Sequence, residues 1–361
     1  MTFGARALIR LDALKHNLNV VRKSCPKAKI MAVVKANAYG HGMVPVARSI
    51  RGVDALAVAR LAEAIELRDA GIETPIVLLA GVFNDEELQT AAAHNFEIVV
   101  HCPEQIELLE ASKDLAATVW LKFDTGMNRL GFNPDDAAAL VPRLQACDAV
   151  AELRLMSHLA SADDRDNVAT MAQLDQFNQL IQGFSGAVSI ANSAGALAWP
   201  ALAGECWIRP GIMLFGLSPF EDQTGADLGL KPVMQFEARL IATKPLPAGA
   251  LVGYRGRYQA REQSTLGIVS AGYGDGYTRH FKSGTPVLIN GRKVPLIGNV
   301  SMDMIAVDLG KNATDAVGDV ATLWGDGLPI EEIAPWAEAI PYDLVCGVMN
   351  REASEIIDQV D

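Results

Sequence analysis

Runs of apolar residues alternate with amphipathic segments over the first two thirds of the chain. Within the amphipathic segments apolar residues recur three and four positions apart, which is the spacing of one helix face. The pattern therefore predicts strands and helices in alternation. The predicted strands are Ile30–Lys35, Ala55–Ala59, Ile76–Ala80, Ile98–His101, Thr118–Asp124, Leu153–His158, Val188–Asn192 and Ile208–Gly216, and predicted helices include Ala62–Ala70, Glu86–Ala93, Glu104–Glu110 and Met171–Ile181.

Eight strands in such an alternation fit a parallel sheet, either closed as a (β/α)₈ barrel or open and doubly wound. An open dinucleotide-binding sheet usually carries G-x-G-x-x-G directly after its first strand, but here that turn reads Lys35-Ala36-Asn37-Ala38-Tyr39-Gly40. We therefore predict a closed barrel. Asn84 and Asn133 each precede a helical segment and are predicted to cap it.

The pattern changes near Pro232, after which short β-like runs are separated by turn residues. Asn290-Gly291 between two apolar runs is the strongest local indication of a hairpin. We predict two domains, a barrel over residues 1–232 and a mainly β domain over residues 233–361. The strands predicted in the second are Phe236–Ile241, Leu266–Ser270, Pro286–Ile289, Lys293–Ile297, Met304–Val307 and Asp319–Leu323.

The composition excludes several classes of function. The 361 residues include 31 Lys and Arg against 43 Asp and Glu, a formal net charge of −12, which disfavours nucleic-acid and anionic membrane partners. We find no apolar run long enough to span a bilayer and no apolar core of a signal peptide, so we expect a cytoplasmic protein. The five cysteines are scattered without a C-x-x-C pair, which is typical of buried thiols in a reducing compartment and not of a metal site.

Lys35 is the first candidate for chemistry, because it ends a strongly apolar strand at the edge where barrel enzymes keep their catalytic groups. A lysine with a depressed pKa is a good amine nucleophile toward an aldehyde. The alternative is a strand-end lysine that reaches solvent. The small residues that follow Lys35 leave room for a bulky ligand and favour the first interpretation.

Other strand ends carry further candidates, each with a structural alternative. His158 ends one strand, and an isolated histidine there is more often structural. Arg209 precedes a Pro-Gly turn and could equally form an ordinary salt bridge. The segment 192–195 suits a phosphate or a plain turn. Lys122 could point into the barrel or pair locally with Asp124.

In the second domain Tyr254 and Tyr273 stand next to glycines, where a ring can project into a cleft. Aromatic packing in the core is the alternative for either one. The motifs taken together are more specific than any single motif. AVVKANAYGHG, LKFDTGMNRLG, MSHLA, ANSAG, IRPGI, VGY, AGYGDGY, SMDM and PYDL occur in the order and spacing of the bacterial alanine racemases, and the chain resembles that family from about residue 5 to residue 355.

The resemblance implies a homodimer with shared active sites that uses pyridoxal 5′-phosphate to interconvert L-alanine and D-alanine. It assigns Lys35 as the residue that binds the cofactor covalently and as one catalytic base, acting on D-alanine. Tyr254 of the other subunit would be the second base, acting on L-alanine. His158, Arg209 and Asp303 would support them, with Arg209 placed against the pyridine nitrogen.

The resemblance also implies the residues that hold the ligands. The phosphate contacts would be Tyr39, Ser193, Gly211, Ile212 and Tyr342, and the substrate contacts Arg129, Met302 and Tyr273. Lys122 corresponds to a lysine that the family carbamylates, and the carbamate would pair with Arg129.

Three alternatives remain at this stage. A decarboxylase of basic amino acids would place an acid where Arg209 stands. A non-catalytic pyridoxal-phosphate carrier shares the barrel but lacks a second domain. A broad-specificity racemase is often exported, whereas this chain shows no export segment. The sequence leaves open whether D-alanine production for the cell wall or alanine breakdown is served.

Overall fold

The computed structural model describes residues 4–112, 115–199, 206–349, 351 and 354–357. Eight parallel strands of its first part close into a barrel, in the order in which they follow one another in the chain. Most of their residues are buried, which explains near-continuous apolar runs in place of a strict alternation. Strand β1 is Arg6–Arg10, and the barrel strands are β2 (Lys29–Val33), β3 (Ala55–Val58), β4 (Ile76–Leu78), β5 (Phe96–Val100), β6 (Ala117–Lys122), β7 (Val150–Met156), β8 (Val188–Ser189) and β9 (Trp207–Ile208).

Helices connect the barrel strands, and the predicted N-caps are confirmed. The Asn84 side chain accepts from the Glu87 amide, and that of Asn133 accepts from the Asp135 amide. The helices are α1 (Leu11–Ser24), α2 (Lys35–Tyr39), α3 (Met43–Ser49), α4 (Leu61–Asp69), α5 (Asp85–Ala93), α6 (Pro103–Ala111), α7 (Ala137–Gln145), α8 (Val168–Leu180) and α9 (Ser193–Ala198), followed in the second part by α10 (Ile330–Ile333) and α11 (Pro341–Cys346). None of the helices in these ranges is long and apolar enough to cross a membrane.

The second part is mainly β, as predicted. Its long first strand, β10 (Met234–Leu246), pairs near its beginning with β17 (Val320–Trp324) and near its end with β13 (Ser264–Val269). Six strands therefore form a closed sheet. Asn290 and Gly291 both have positive φ and form the predicted hairpin turn. The strands are β10 (Met234–Leu246), β11 (Leu251–Val252), β12 (Tyr258–Gln259), β13 (Ser264–Val269), β14 (Pro286–Ile289), β15 (Arg292–Ile297), β16 (Ile305–Asp308), β17 (Val320–Trp324) and β18 (Glu355–Ile357).

Strand β1 joins the second sheet although it precedes the barrel. It pairs antiparallel with β10 and parallel with β18. Arg6 forms ion pairs of 2.8 Å with both Glu237 and Glu355, so it joins the three strands by charge as well. The division at residues 1–232 and 233–361 stays a prediction, and its outer ends, residues 1–3 and 358–361, lie outside the described residues.

One predicted strand is wrong over most of its length. The run Ile208–Gly216 leaves the sheet after Ile208, and Ile212–Phe215 forms a 3₁₀ helix. Pro210 has no amide hydrogen with which to continue a ladder, and the chain therefore turns there. This early exit brings Arg209 and Gly211 to the end of the barrel.

Candidate active site

Four basic side chains gather at the end of the barrel where the strands finish. Lys35 lies two residues beyond β2, Lys122 ends β6, His158 lies two residues beyond β7, and Arg209 directly follows β9. Because the strands are parallel, their carboxyl ends all meet at the same edge. We call this edge, with these four residues, the barrel mouth.

Arg209 is the most extensively bonded of the four and is only 5% exposed. Its Nη1 donates to Ser189 Oγ at 2.6 Å, and its Nη2 donates to the Ser157 carbonyl at 2.7 Å and to His158 Nδ1 at 3.0 Å. Burial lowers its pKa to about 10, so the guanidinium stays charged at neutral pH. The structure thus fixes a buried cation at the mouth.

Burial keeps His158 neutral, and Arg209 decides which ring nitrogen carries the hydrogen. A guanidinium only donates, so His158 Nδ1 accepts and carries no hydrogen. Burial, together with the charges of Arg209 and Lys122, lowers the pKa of His158 to about 2. The imidazole is therefore neutral, with its hydrogen on Nε2. The ring is hydrogen-bonded to Arg209 and lines a cleft with Lys122 and Arg129, and its role in the site stays a prediction.

Lys122 lies inside the barrel and is only 9% exposed. Burial and the charges of Arg209 and Arg129 lower its pKa to about 8. At pH 7 about one such amine in ten is then neutral, against far fewer than one in a thousand for an ordinary lysine. Lys122 shares a cleft with Arg129 and His158, so this amine has the other site residues as neighbours.

Arg129 is carried by a loop that Asp124 organises. The Asp124 carboxylate accepts from the backbone amides of Gly126, Met127, Asn128 and Arg129. Burial opposes its charged form, but these four bonds outweigh burial and lower its pKa. Among the described contacts the Asp124 carboxylate makes no hydrogen bond to Lys122, and Arg129 is an exposed residue.

Lys35 begins α2, and this short element is a left-handed turn and not a right-handed helix. Ala36, Asn37, Ala38 and Tyr39 all have φ between 52° and 54°, a region that non-glycine residues rarely occupy. Such a conformation persists only where the surroundings impose it. Here His41 Nδ1 donates to the carbonyls of Ala38 and Tyr39 at 3.0 and 2.9 Å, and the Asn37 side chain accepts from the Met43 amide at 2.8 Å.

The left-handed turn directs Lys35 into the charged mouth. The residue is half-buried, and burial lowers its pKa, with a further lowering by the charge of Arg129. Glu63 acts in the opposite direction and raises it. A primary amine so placed is a better nucleophile near neutral pH than an ordinary lysine.

The residues predicted to hold a phosphate lie together near Tyr39, at the end of the turn. Tyr39 and Tyr342 have ring centroids 6.1 Å apart, and the Gly211 amide donates to Ser193 Oγ at 3.0 Å. A Cβ at Gly211 would lie 2.4 Å from the Tyr39 hydroxyl, so only glycine permits this approach. Ile212 follows directly and opens the 3₁₀ helix. Hydroxyls and backbone amides on one wall suit an anionic oxygen ligand.

The remaining predicted residues form a second group, on the mainly β part. Tyr254, Tyr273, Met302 and Asp303 line a cavity of about 680 Å³ whose lining residues all lie between positions 254 and 303. Tyr254 is 67% exposed and Met302 54% exposed. Asp303 pairs with Arg351 at 2.7 Å. Within one chain the cavity that contains Tyr254 therefore includes none of the barrel mouth.

Sequence reasoning missed three residues that shape the mouth. Glu63 accepts from the Ala36 amide, Asp124 organises the Arg129 loop, and His41 supports the left-handed turn. Glu63 is the third residue of its helix, a capping position that could have drawn attention to it. His41 lies within the Lys35 motif, but its role depends on a backbone shape that residue types do not indicate.

The family models match both parts of the chain. Residues 9–219 match the model described as alanine racemase, N-terminal domain, and residues 233–356 match alanine racemase, C-terminal domain. The chain is 47% identical over 350 residues to an alanine racemase of Vibrio cholerae, which covers 96% of this chain and 97% of that protein. It is 48% identical over 350 residues to one of Shewanella sediminis, with 96% and 98% covered.

Two solved structures are similar to this one over almost the whole chain. The structure is similar to that of a biosynthetic alanine racemase from Pseudomonas aeruginosa, with a TM-score of 0.94, 40% identity and coverage of 99% of this chain and 100% of that one. An alanine racemase from Acinetobacter baumannii gives the same TM-score and coverage at 37% identity. These likenesses extend across both the barrel and the second sheet.

Proposed function

The chain belongs to the alanine racemase family, and from that premise we propose that it interconverts L-alanine and D-alanine at the barrel mouth, with pyridoxal 5′-phosphate bound through Lys35. The observation that carries the proposal is the environment of Lys35. A half-buried amine with a lowered pKa stands beside the buried cation Arg209 and across the turn from a wall of hydroxyls and amides.

The residues present fit the cofactor. Lys35 offers an amine to its aldehyde, and Tyr39, Ser193 and Tyr342 offer hydroxyls to its phosphate. The Gly211 and Ile212 amides are placed on the same wall. When bound, pyridoxal 5′-phosphate supplies an electron-withdrawing ring that stabilises negative charge at the substrate Cα.

We propose that Arg209 faces the pyridine nitrogen. Its guanidinium only donates, and its pKa of about 10 keeps it protonated. With the cofactor bound, Arg209 would donate a hydrogen bond to that nitrogen and would keep its own proton. An aspartate or glutamate at this position, which a decarboxylase of basic amino acids would carry, is not present, and we do not favour that alternative.

Inversion at Cα requires that a proton leaves one face and that another arrives on the opposite face. One side chain cannot readily reach both faces. We propose Lys35 as the base for D-alanine and Tyr254 as the base for L-alanine. An ordinary phenol has a pKa of about 10, so a tyrosine that moves protons near neutral pH needs cations near its oxygen. Arg209 and Arg129 at the mouth would supply these cations. His158 would transmit the effect of the Arg209 charge through its hydrogen bond to Arg209.

Because Tyr254 lies in a cavity apart from the mouth of its own chain, we propose that a second copy delivers it. The homodimer then has two shared sites, each with Lys35 from one subunit and Tyr254 from the other. Tyr273 and Met302 would contact the substrate from the same side as Tyr254, with Asp303 in support. The division at residues 1–232 and 233–361 then separates a cofactor-binding part from a part that serves the partner.

On the barrel side we propose that Arg129 binds the substrate carboxylate. We further propose that neutral Lys122 adds carbon dioxide. The amine lone pair forms the new N–C bond, one C=O bond opens to a carboxylate, and a proton leaves to solvent. The carbamate anion would then pair with Arg129.

The direct test is optical. Pure L-alanine is added to protein with pyridoxal 5′-phosphate, and we expect the rotation to fall to zero while total alanine is conserved. Lasting rotation would refute the proposed activity. A broad specificity would appear as racemisation of larger amino acids at comparable kcat/KM.

A second test addresses the shared site. Lys35→Ala and Tyr254→Phe chains, each inactive, are mixed and allowed to exchange subunits. Half of the dimers become mixed and each has one intact site, so roughly a quarter of the sites should recover. No recovery despite proven exchange would refute delivery of Tyr254 by a partner.

A further inference from the structure

Glu63 connects two neighbouring strand–helix units of the barrel. It is the third residue of α4, the helix after β3. Its Oε2 accepts from the amides of Ala59 and Arg60 at 2.8 and 3.0 Å, which satisfies the start of its own helix. Its Oε1 accepts at 2.6 Å from the amide of Ala36, which belongs to the preceding unit. The Ala36 amide is part of the peptide that follows Lys35.

The next unit supplies an internal comparison. Glu87 occupies the third position of α5, and its Oε2 accepts from the Phe83 amide at 2.8 Å. Capping a helix in this barrel therefore needs one carboxylate oxygen. In Glu63 the second oxygen reaches the left-handed turn, a contact that capping does not require.

We infer that Glu63 is a positioning residue for Lys35, because its carboxylate holds the peptide between Lys35 and Ala36 and fixes the left-handed turn against the neighbouring unit. The inference rests on the proposed role of Lys35. Four consecutive non-glycine residues with positive φ are strained, and rigid partners must impose that shape. Rotation of the Lys35–Ala36 peptide would redirect the Lys35 side chain and release this contact.

Glu63 also contributes charge. Burial lowers the pKa of Lys35, as do Arg129 and Arg209, and Glu63 raises it. The carboxylate therefore keeps the amine from becoming neutral at too low a pH. One side chain thus holds the peptide that follows the proposed catalytic amine and also raises the pKa of that amine.

The test compares Glu63→Gln with Glu87→Gln in the full-length protein. Three amide donors converge on the Glu63 carboxylate, and a glutamine has only one oxygen to offer them. Hydrogen exchange is followed by mass spectrometry on peptides that cover residues 34–42 and 83–88. We expect Glu63→Gln to speed exchange in 34–42 by about tenfold or more, and Glu87→Gln to speed exchange only in 83–88.

A pH profile separates positioning from general loosening. Cofactor is removed from the full-length chain with hydroxylamine, and the rate of pyridoxal 5′-phosphate uptake is measured against pH by absorbance. The rate follows the neutral fraction of Lys35. We expect Glu63→Gln to lower the midpoint by roughly half to one pH unit, about three- to tenfold in that fraction. Glu63→Asp keeps the negative charge, so its midpoint should stay close to that of the wild type. Glu87→Gln should leave the midpoint unchanged.

In the Glu63→Gln protein, faster exchange in 34–42 but not in 83–88, together with a lowered midpoint, would support the inference. Equal behaviour of the Glu63→Gln and Glu87→Gln proteins in both measurements would overturn it. If Glu63→Gln does not fold, Glu63→Asp carries the exchange comparison, because its arm is one methylene too short to span both units. If Lys35→Ala binds the cofactor with unchanged absorbance, the proposed function fails, and the exchange result still tests the contact between Glu63 and the turn.

Discussion

Lys122→Met removes a buried ammonium from a cluster of cations. The pKa of Lys122 is about 8 in the folded chain, against 10.5 for an ordinary lysine. Each pKa unit corresponds to about 1.4 kcal/mol, so the charged form costs the folded state about 3 kcal/mol. Methionine has a similar length and no charge. We therefore expect the variant to be more stable than the wild type at neutral pH.

The pH dependence gives the sharper test. Between pH 8 and 10.5 the unfolded chain holds the Lys122 proton more tightly than the folded chain does. The wild-type free energy of unfolding therefore gains a contribution as pH rises through this window, and below pH 8 the whole cost is present. The advantage of the Lys122→Met protein should thus be largest below pH 8 and should shrink by about 3 kcal/mol by pH 10.5.

Guanidinium chloride unfolding in buffers free of carbon dioxide measures this difference at several pH values. Lys27→Met is the matched control, because Lys27 is exposed and its substitution leaves the mouth intact. A difference between the wild type and the Lys122→Met protein that stays constant from pH 7 to 10.5 would refute the reasoning. In a separate arm, bicarbonate should stabilise the wild type and not the variant if Lys122 forms a carbamate, and native mass spectrometry should detect the added group.

Three other substitutions test the site. Lys35→Ala should abolish both the visible absorbance of bound cofactor and racemisation, and retained absorbance would remove Lys35 from its role. Tyr254→Phe should leave the absorbance intact and slow racemisation by roughly a hundredfold or more, with solvent deuterium incorporation lost chiefly from L-alanine. Arg209→Lys keeps the charge, but its single terminal nitrogen cannot stand in for both Nη1, which donates to Ser189, and Nη2, which donates to the Ser157 carbonyl and His158 Nδ1. We expect it to lower the free energy of unfolding by about 2–4 kcal/mol in denaturant titrations, whereas an unchanged midpoint would show that the network is not stabilising.

The barrel was predictable because its strands are buried on both faces and so appear as unbroken apolar runs. Strand β1 was not, since its five residues alternate between buried and half-buried positions and its partners lie more than 200 residues away. The end of β9 was misplaced for a related reason. The run Ile208–Gly216 is apolar apart from Arg209, but Ile212–Phe215 is buried as a 3₁₀ helix rather than as a strand.

The site residues were predictable from their position at strand ends and from the motifs, but their electrostatics were not. Whether Lys122 points inward depends on register, and its pKa depends on how near Arg129 and Arg209 approach. The left-handed turn is beyond residue-level prediction, because alanine and tyrosine do not favour positive φ. The Glu63 contact that supports it comes from 27 residues further along the chain, and the local His41 contacts depend on a ring that is buried against Phe215.

The charge arrangement of the two groups of residues supports a shared site more strongly than either group does alone. The barrel mouth holds Lys35, Lys122, Arg129 and Arg209 together, a set of cations that repel one another and that would destabilise the fold without a compensating function. An anionic phosphate, a substrate carboxylate and a phenol that gives up its proton each relieve that repulsion. Tyr254 is 67% exposed on its own chain, where it is surrounded by water and not by these cations. In the proposed shared site, the excess of positive charge at the mouth would lower the cost of ionising the Tyr254 phenol.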